Sequence, residues 1–101
     1  FPITEYYFDE IEKKFTQDSY ADDARFKIVE CFYSLKNYAL AKEKANLYLK
    51  RYGSDKSRMS TLYFYIGESD YYLSNFAEAV MAYKQATELA VDSRIKALAQ
   101  L

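Results

Sequence analysis

A chain of 101 residues is long enough for one modest domain, and its formal net charge of −1 comes from interspersed acids and bases, which gives no electrostatic basis for binding nucleic acid or an acidic membrane. No apolar run approaches the length of a membrane span, and the single cysteine, Cys31, excludes an internal disulfide. The chain has only two glycines and one proline, and this scarcity of turn residues argues against an all-β fold. It has no histidine, which excludes His-based general bases, catalytic triads and His metal sites.

Apolar residues recur at helical spacing along the chain, and short polar or glycine-containing breaks interrupt them, which predicts a series of helices with no strand. Asp18 or Ser19 can cap the second helix, and Asp92 or Ser93 can cap a last segment. Gly53 is a helix stop in the clearest break. The predicted helices run from Ile3 to Phe15, from about Ser19 to Lys36, from Ala39 to Arg51, from Ser57 to Leu73, from Ala77 to Ala90 and from Arg94 to Leu101.

The chain repeats itself at a period of 38 residues. Residues 26–41 and 64–79 carry the same amino acid at eight of sixteen aligned positions, which is the signature of a repeat architecture. Short connections near Asn37 and Asn75 predict antiparallel neighbours, and the small side chain of Ala79 predicts a close contact between two helices. A single helical pair cannot hide its own apolar face, so the pairs are expected to stack.

The second copy resembles the tetratricopeptide repeat, a family of two-helix repeats. That family's pattern is a large residue, then Leu-Gly and an aromatic residue, followed by alanines and aromatic residues in the second helix. The resemblance implies an all-α fold of antiparallel helix–turn–helix repeats stacked as an α-solenoid, which is a tetratricopeptide-like superhelix. The matching positions are Tyr63, Ile66, Gly67, Tyr71, Phe76, Ala79, Tyr83 and Ala86, with a weaker match at Ile28, Phe32, Tyr38 and Ala41.

On this resemblance, the chain is one domain whose parts are the second helix of a partial repeat, two repeats, and the start of a further or capping helix. The chain departs from the family's pattern at Arg25, Val29 and Asp70, and its period exceeds the usual length of about 34 residues. The long link after the first copy is similar to repeats of bacterial envelope proteins such as outer-membrane assembly lipoproteins, so cytoplasmic and periplasmic locations both stay open. The four parts are residues 1–18, 19–53, 57–91 and 92–101.

No stretch of the sequence has the pattern of an active site. A Gly-rich phosphate loop and a nucleophile elbow are both absent, and the paired acids show no acid–base geometry. Cys31 is expected to be a small buried packing residue rather than a reactive thiol. The basic stretch from Lys42 to Arg58 is interleaved with acids and is expected to form a solvated outer face. The chain is therefore predicted not to be an enzyme and to use no cofactor or metal.

The resemblance also implies a binding surface, because the first helix of each pair lines the concave face in the family. The family's variable contact positions carry acids and aromatic rings here, with no lysine or arginine among them, so a clamp for a C-terminal carboxylate is not expected. Acids beside Tyr and Phe rings suit a partner segment that bears Lys or Arg. The nine positions are Asp23, Phe26, Glu30, Tyr33, Thr61, Phe64, Glu68, Tyr71 and Tyr72.

The leading hypothesis for function is therefore a scaffold that binds a protein or peptide segment on the concave face. The alternatives are a structural spacer or an envelope assembly module within a longer repeat protein, and the same aromatic residues could instead pack against neighbouring helices. Asp70 tests the helix alignment, since it shares a face with Ile66 and Leu73. Because a buried unpaired carboxylate is costly, Asp70 is expected either to reach solvent or to meet a Tyr, Lys or Arg from the preceding helices.

Overall fold

The structure, a computed structural model, describes residues 19–52 and 55–99. These residues form four α-helices and no strand, which confirms the predicted all-α fold class. Within these two ranges no helix is long and apolar enough to cross a membrane. The helix expected at 3–15 lies outside the described residues, so the division of the chain into repeats stays a prediction. The helices are α1 (Ser19–Ser34), α2 (Tyr38–Tyr52), α3 (Lys56–Tyr72) and α4 (Phe76–Ala99).

The turns after α1 and after α3 are built in the same way, at positions 38 residues apart. Lys36 and Ser74 adopt left-handed conformations, with φ of 62° and 66°. The next backbone N–H donates to the carbonyl five residues earlier, at 2.9 Å for Asn37 and 2.7 Å for Asn75. This is the closure of a Schellman motif, which satisfies carbonyls that the helix end leaves unpaired. The repeated turns predicted near these asparagines are therefore confirmed.

Helix α4 is longer than the sequence pattern predicts. The expected turn near Asp92 was wrong, because the helix continues without a break through Asp92 and Ser93 to Ala99. Asp and Ser are good caps, but each costs only about 0.5–0.7 kcal/mol relative to Ala inside a helix. With no glycine or proline after Leu89, no residue in this part of the chain stops the helix.

Contacts between α3 and α4 show that these consecutive helices are antiparallel. The hydroxyl of Ser60 donates to the carbonyl of Ala86 at 2.7 Å, while seven residues later Gly67 faces the ring of Tyr83. A Cβ atom on Gly67 would lie 2.7 Å from Cδ1 of Tyr83, so only glycine fits under this ring. Ala79 is 2% exposed, which confirms that it lies buried in the helical packing.

The two copies fill their cores with different residues at matching positions. Val29 and Ala45 belong to one buried cluster, and the residues 38 positions later are Gly67 and Tyr83. In the second copy, a glycine thus replaces the medium-sized valine, and a large tyrosine ring replaces the small alanine. The total volume is preserved in outline, as close packing of a core requires. The cluster consists of Val29, Ala45, Tyr48, Leu62, Ile66 and Ala82.

A buried ion pair connects three helices. Asp70 is 2% exposed, at the position that Phe32 holds in the first copy. Nζ of Lys42 on α2 lies 2.6 Å from Oδ1 of Asp70 and 3.1 Å from Oε2 of Glu78 on α4. The hydrogen bond to Asp70 is the main cause of the raised pKa of Lys42. The expectation of a donor from a preceding helix is confirmed, whereas the expected solvated basic face was wrong for Lys42 and for Lys44, which is 6% exposed.

Candidate functional site

The nine predicted contact residues lie on α1 and α3, which run side by side in the same direction. Asp23 contacts Arg58, and seven residues further along each helix Glu30 contacts Tyr65. The predicted residues of each helix recur at three- and four-residue spacing, which places them on one stripe. We call the surface formed by the nine the acidic–aromatic face.

At one end of this face, an arginine of the chain itself holds an acid and a ring. Nη2 of Arg58 donates to Oδ1 of Asp23 at 2.7 Å, and Cζ of Arg58 lies 4.9 Å from the centroid of the Phe26 ring. Nη1 of Arg58 also donates to the hydroxyl of Tyr48 at 3.2 Å. Arg58 was not predicted to belong to the site, because it lies in the basic stretch that was expected to be solvated. The 38-residue period pairs Asp23 with Thr61, and Arg58 lies one helical turn before Thr61, which was the signal available in the sequence.

In the middle of the face, Glu30 accepts a hydrogen bond at Oε2, whereas Oε1 has an ion-pair contact but no hydrogen bond from a described residue. The hydroxyl of Tyr65 donates to Oε2 at 3.1 Å, and Nζ of Lys27 lies 3.2 Å from Oε1. Burial and the hydrogen bond to Glu30 raise the pKa of Tyr65 to about 12, so this phenol stays protonated and donating at neutral pH. Tyr33 packs against Tyr65 with ring centroids 4.6 Å apart. Tyr33 and Tyr65 therefore have a packing role, in agreement with the alternative hypothesis that the aromatic residues pack against neighbouring helices.

Glu68 lies on the α3 part of the face and has a different environment. The hydroxyl of Tyr83 donates to Oε2 of Glu68 at 2.8 Å, and burial together with this hydrogen bond raises the pKa of Tyr83. Burial raises the pKa of Tyr33 as well, and the charge of Glu68 adds to that effect. In the described part of the chain, no lysine or arginine pairs with Glu68. Among the residues that the structure describes, Glu68 therefore has a phenol as its hydrogen-bond donor and no cation as its partner.

The outer part of the face is aromatic. Phe64, Tyr71 and Tyr72 are 42%, 51% and 57% exposed. Tyr72 stacks on Tyr38 of α2 with centroids 4.7 Å apart and an interplanar angle of 13°, and Tyr71 meets Phe76 edge-on at 5.7 Å. Rings held in this way present contact area at a low cost in side-chain entropy.

The structure divides the predicted residues between two places. The residues of α1 contact α3 or α2, and Tyr72 contacts α2. Thr61 and Phe64 instead line an open groove of about 310 Å³ between α3 and α4. The groove walls are small or apolar, and they contain no charged side chain. The lining residues are Ser60, Thr61, Phe64, Ala86, Thr87 and Ala90.

Cys31 is exposed, so the expectation of a buried packing residue was wrong. Val29 and Phe32 are the fully buried residues of this part of α1, and Cys31 lies about 100° around the helix from Phe32. Among the described residues, no group of three or more Cys, Asp or Glu side chains could hold a metal ion.

No family model, curated protein or solved structure matches the chain. What the acidic–aromatic face can bind is therefore a question of its own chemistry. Its groups are exposed rings and carboxylates that accept hydrogen bonds, and the neighbouring phenols of Tyr65 and Tyr83 donate to two of the carboxylates. This combination attracts cations and planar groups, and it lacks the unengaged cationic donors that would hold an anion.

Proposed function

We propose that the chain is a protein-interaction module of the tetratricopeptide kind, in which stacked antiparallel helix pairs form an α-solenoid. The acidic–aromatic face is the concave surface of this solenoid and binds a segment of a partner protein. Three features support the proposal: the repeated turns after α1 and α3, the antiparallel packing of α3 on α4, and the parallel contact of α1 with α3.

The observation that carries the proposal is the group of exposed rings around Glu68. Phe64, Tyr71 and Tyr72 lie within one helical turn of Glu68 along α3, and each is at least 42% exposed. A core would bury such rings, whereas an interface uses them as anchors. A structural role explains Tyr33 and Tyr65, which pack on each other, but it does not explain why these three rings face solvent.

The partner segment carries lysine or arginine. The face supplies three carboxylates, at Asp23, Glu30 and Glu68, and the arginine that approaches it is already paired with Asp23. Charge complementarity then favours a basic segment, through charge-assisted hydrogen bonds and cation–π contacts.

The test is an array of basic, neutral and acidic peptides read with the wild-type chain and with a Glu30→Ala, Glu68→Ala double variant. We expect the wild type to retain basic peptides and the double variant to lose most of that signal. The matched control is Glu43→Ala with Glu88→Ala, which removes the same charge from exposed positions on α2 and α4. Equal retention of basic and acidic peptides, or equal loss in both double variants, would overturn the proposal.

A second candidate function is a structural spacer, and the exposed side of α4 favours it. Phe76 and Val80 are 57% and 66% exposed, although the residues 38 positions earlier, Tyr38 and Lys42, both contact the following helix. The repeat register therefore marks this side of α4 as a surface on which a further helix packs. A spacer would retain no peptide specifically on the array, which separates the two functions.

A further inference from the structure

The three acids of the acidic–aromatic face differ in what balances their charge. Asp23 pairs with an arginine of α3, and Glu30 pairs with a lysine of α1 and a tyrosine of α3. Within the described ranges, Glu68 accepts a single hydrogen bond, from a phenol of α4, and no cation. Glu68 is therefore the acid of this face that can take a cation from outside.

The chain itself shows which cation this type of surface holds. The guanidinium of Arg58 bonds the carboxylate of Asp23 at 2.7 Å, lies 4.9 Å from the centroid of the Phe26 ring and bonds the hydroxyl of Tyr48 at 3.2 Å. A planar guanidinium can donate hydrogen bonds to a carboxylate and lie against a ring at the same time, because its donors point outward in its own plane.

The same three kinds of group occur together around Glu68. The carboxylate of Glu68 is joined by the phenol of Tyr83 at 2.8 Å. The exposed rings of Phe64 and Tyr72 lie one turn before and one turn after Glu68 on α3. Phe64 also occupies the position that Phe26 has in the first copy, so the ring recurs. The acid lies four residues after this ring, whereas Asp23 lies three residues before Phe26.

We propose that Glu68, Phe64 and Tyr72 form a binding site for the guanidinium of an arginine supplied by the partner segment. This proposal rests on the proposed function and names the group that its binding face recognises. Arginine is favoured over lysine because a compact, strongly hydrated ammonium gains less from flanking rings than a planar guanidinium does.

The experiment titrates the ¹⁵N-labelled chain with N-acetyl-arginine N-methylamide and follows the amide shifts of residues 61–72. The lysine and citrulline counterparts serve as probes of the same size, and citrulline keeps the planar shape without the charge. We expect saturable shifts with the arginine probe and an affinity for the lysine probe that is lower by about threefold or more. The citrulline probe should give no saturation. Equal binding of arginine and citrulline, or shifts confined to residues outside α3, would overturn the proposal.

Variants identify the acid. Glu68→Gln should weaken arginine binding by about tenfold, the loss of one charge-assisted hydrogen bond. Glu88→Gln removes an exposed charge from α4, away from the site, and should leave binding unchanged. Equal effects of the Glu68 and Glu88 variants would refute the site.

Tyr72→Leu provides a test that leaves the acid in place, since this ring is 57% exposed and the fold should tolerate its loss. The variant should weaken the affinity for the arginine probe by about threefold, which is the contribution of one cation–π contact. An unchanged affinity would count against the site. If the peptide array still selects a basic segment while the arginine probe binds nowhere on α3, the proposed function stands and the guanidinium site falls. If the array retains nothing while the probe binds at Glu68, the guanidinium site stands and the proposed function falls.

Discussion

Replacing Lys42 by Met should destabilise the fold strongly, because Asp70 would stay buried without its cation. Nζ of Lys42 lies 2.6 Å from Oδ1 of Asp70, and the side chains are 28% and 2% exposed. Breaking a buried ion pair by removing one partner costs about 3–5 kcal/mol. The partial exposure of Lys42 and the side-chain amide of Asn75, 3.4 Å from the same oxygen, lower the expected loss to about 2–3 kcal/mol.

Urea denaturation followed by circular dichroism measures this loss as a change in the free energy of unfolding. Lys27→Met is the matched control, because that lysine is 77% exposed, pairs with Glu30 at 3.2 Å and should cost less than about 0.5 kcal/mol. The double variant Lys42→Met, Asp70→Leu should recover to within about 1 kcal/mol of wild type, since two apolar residues can replace a buried pair. A Lys42→Met loss no larger than that of Lys27→Met would refute the reasoning.

Three further predictions concern stability. Gly67→Ala should cost about 1–3 kcal/mol because its Cβ would meet the Tyr83 ring at 2.7 Å, and Gly67→Val with Tyr83→Ala should recover part of a Gly67→Val loss by copying the pairing of the first copy. Ser74→Gly should raise the free energy of unfolding by about 0.5–1 kcal/mol because its φ is 66°, whereas Ser93→Gly inside α4 should lower it. The pKa of Tyr65 is about 12 in the folded chain and about 10 in the unfolded chain. The resulting contribution to the free energy of unfolding is complete below pH ~10 and is lost as the pH rises toward 12. Tyr65→Phe should therefore flatten the fall in unfolding free energy at alkaline pH. Failure of the double variant to recover, a loss with Ser74→Gly, or identical alkaline profiles would contradict these accounts in turn.

Local patterns in the sequence were sufficient for much of the fold. Helical spacing of apolar residues predicted the four described helices to within one or two residues at most of their ends, and the period of 38 predicted that the turns at Asn37 and Asn75 match. The burial of Ala79 followed from the same alignment, and a donor for Asp70 was one of the two outcomes expected for that carboxylate. These features depend on neighbours along one helix or across one short turn, which sequence spacing determines directly.

Contacts between distant residues could not be predicted in this way. Which acid a long basic side chain reaches depends on the distance between helices, so the pairings of Arg58 with Asp23 and of Lys42 with Asp70 were not visible in composition. The exposure of Cys31 depends equally on which side of α1 its neighbours cover. The continuation of α4 past Asp92 was missed because a capping residue permits a helix end without enforcing one.

The most direct test of a partner-binding face is chemical-shift mapping of the ¹⁵N-labelled chain with the basic peptide that the array selects. We predict that the largest amide shifts fall on the acidic–aromatic face, around Phe64, Glu68 and Tyr72, with little change near Val80 and Met81 on the exposed side of α4. Largest shifts around Val80 and Met81, with the acidic–aromatic face unchanged, would contradict it and favour a surface for helix stacking.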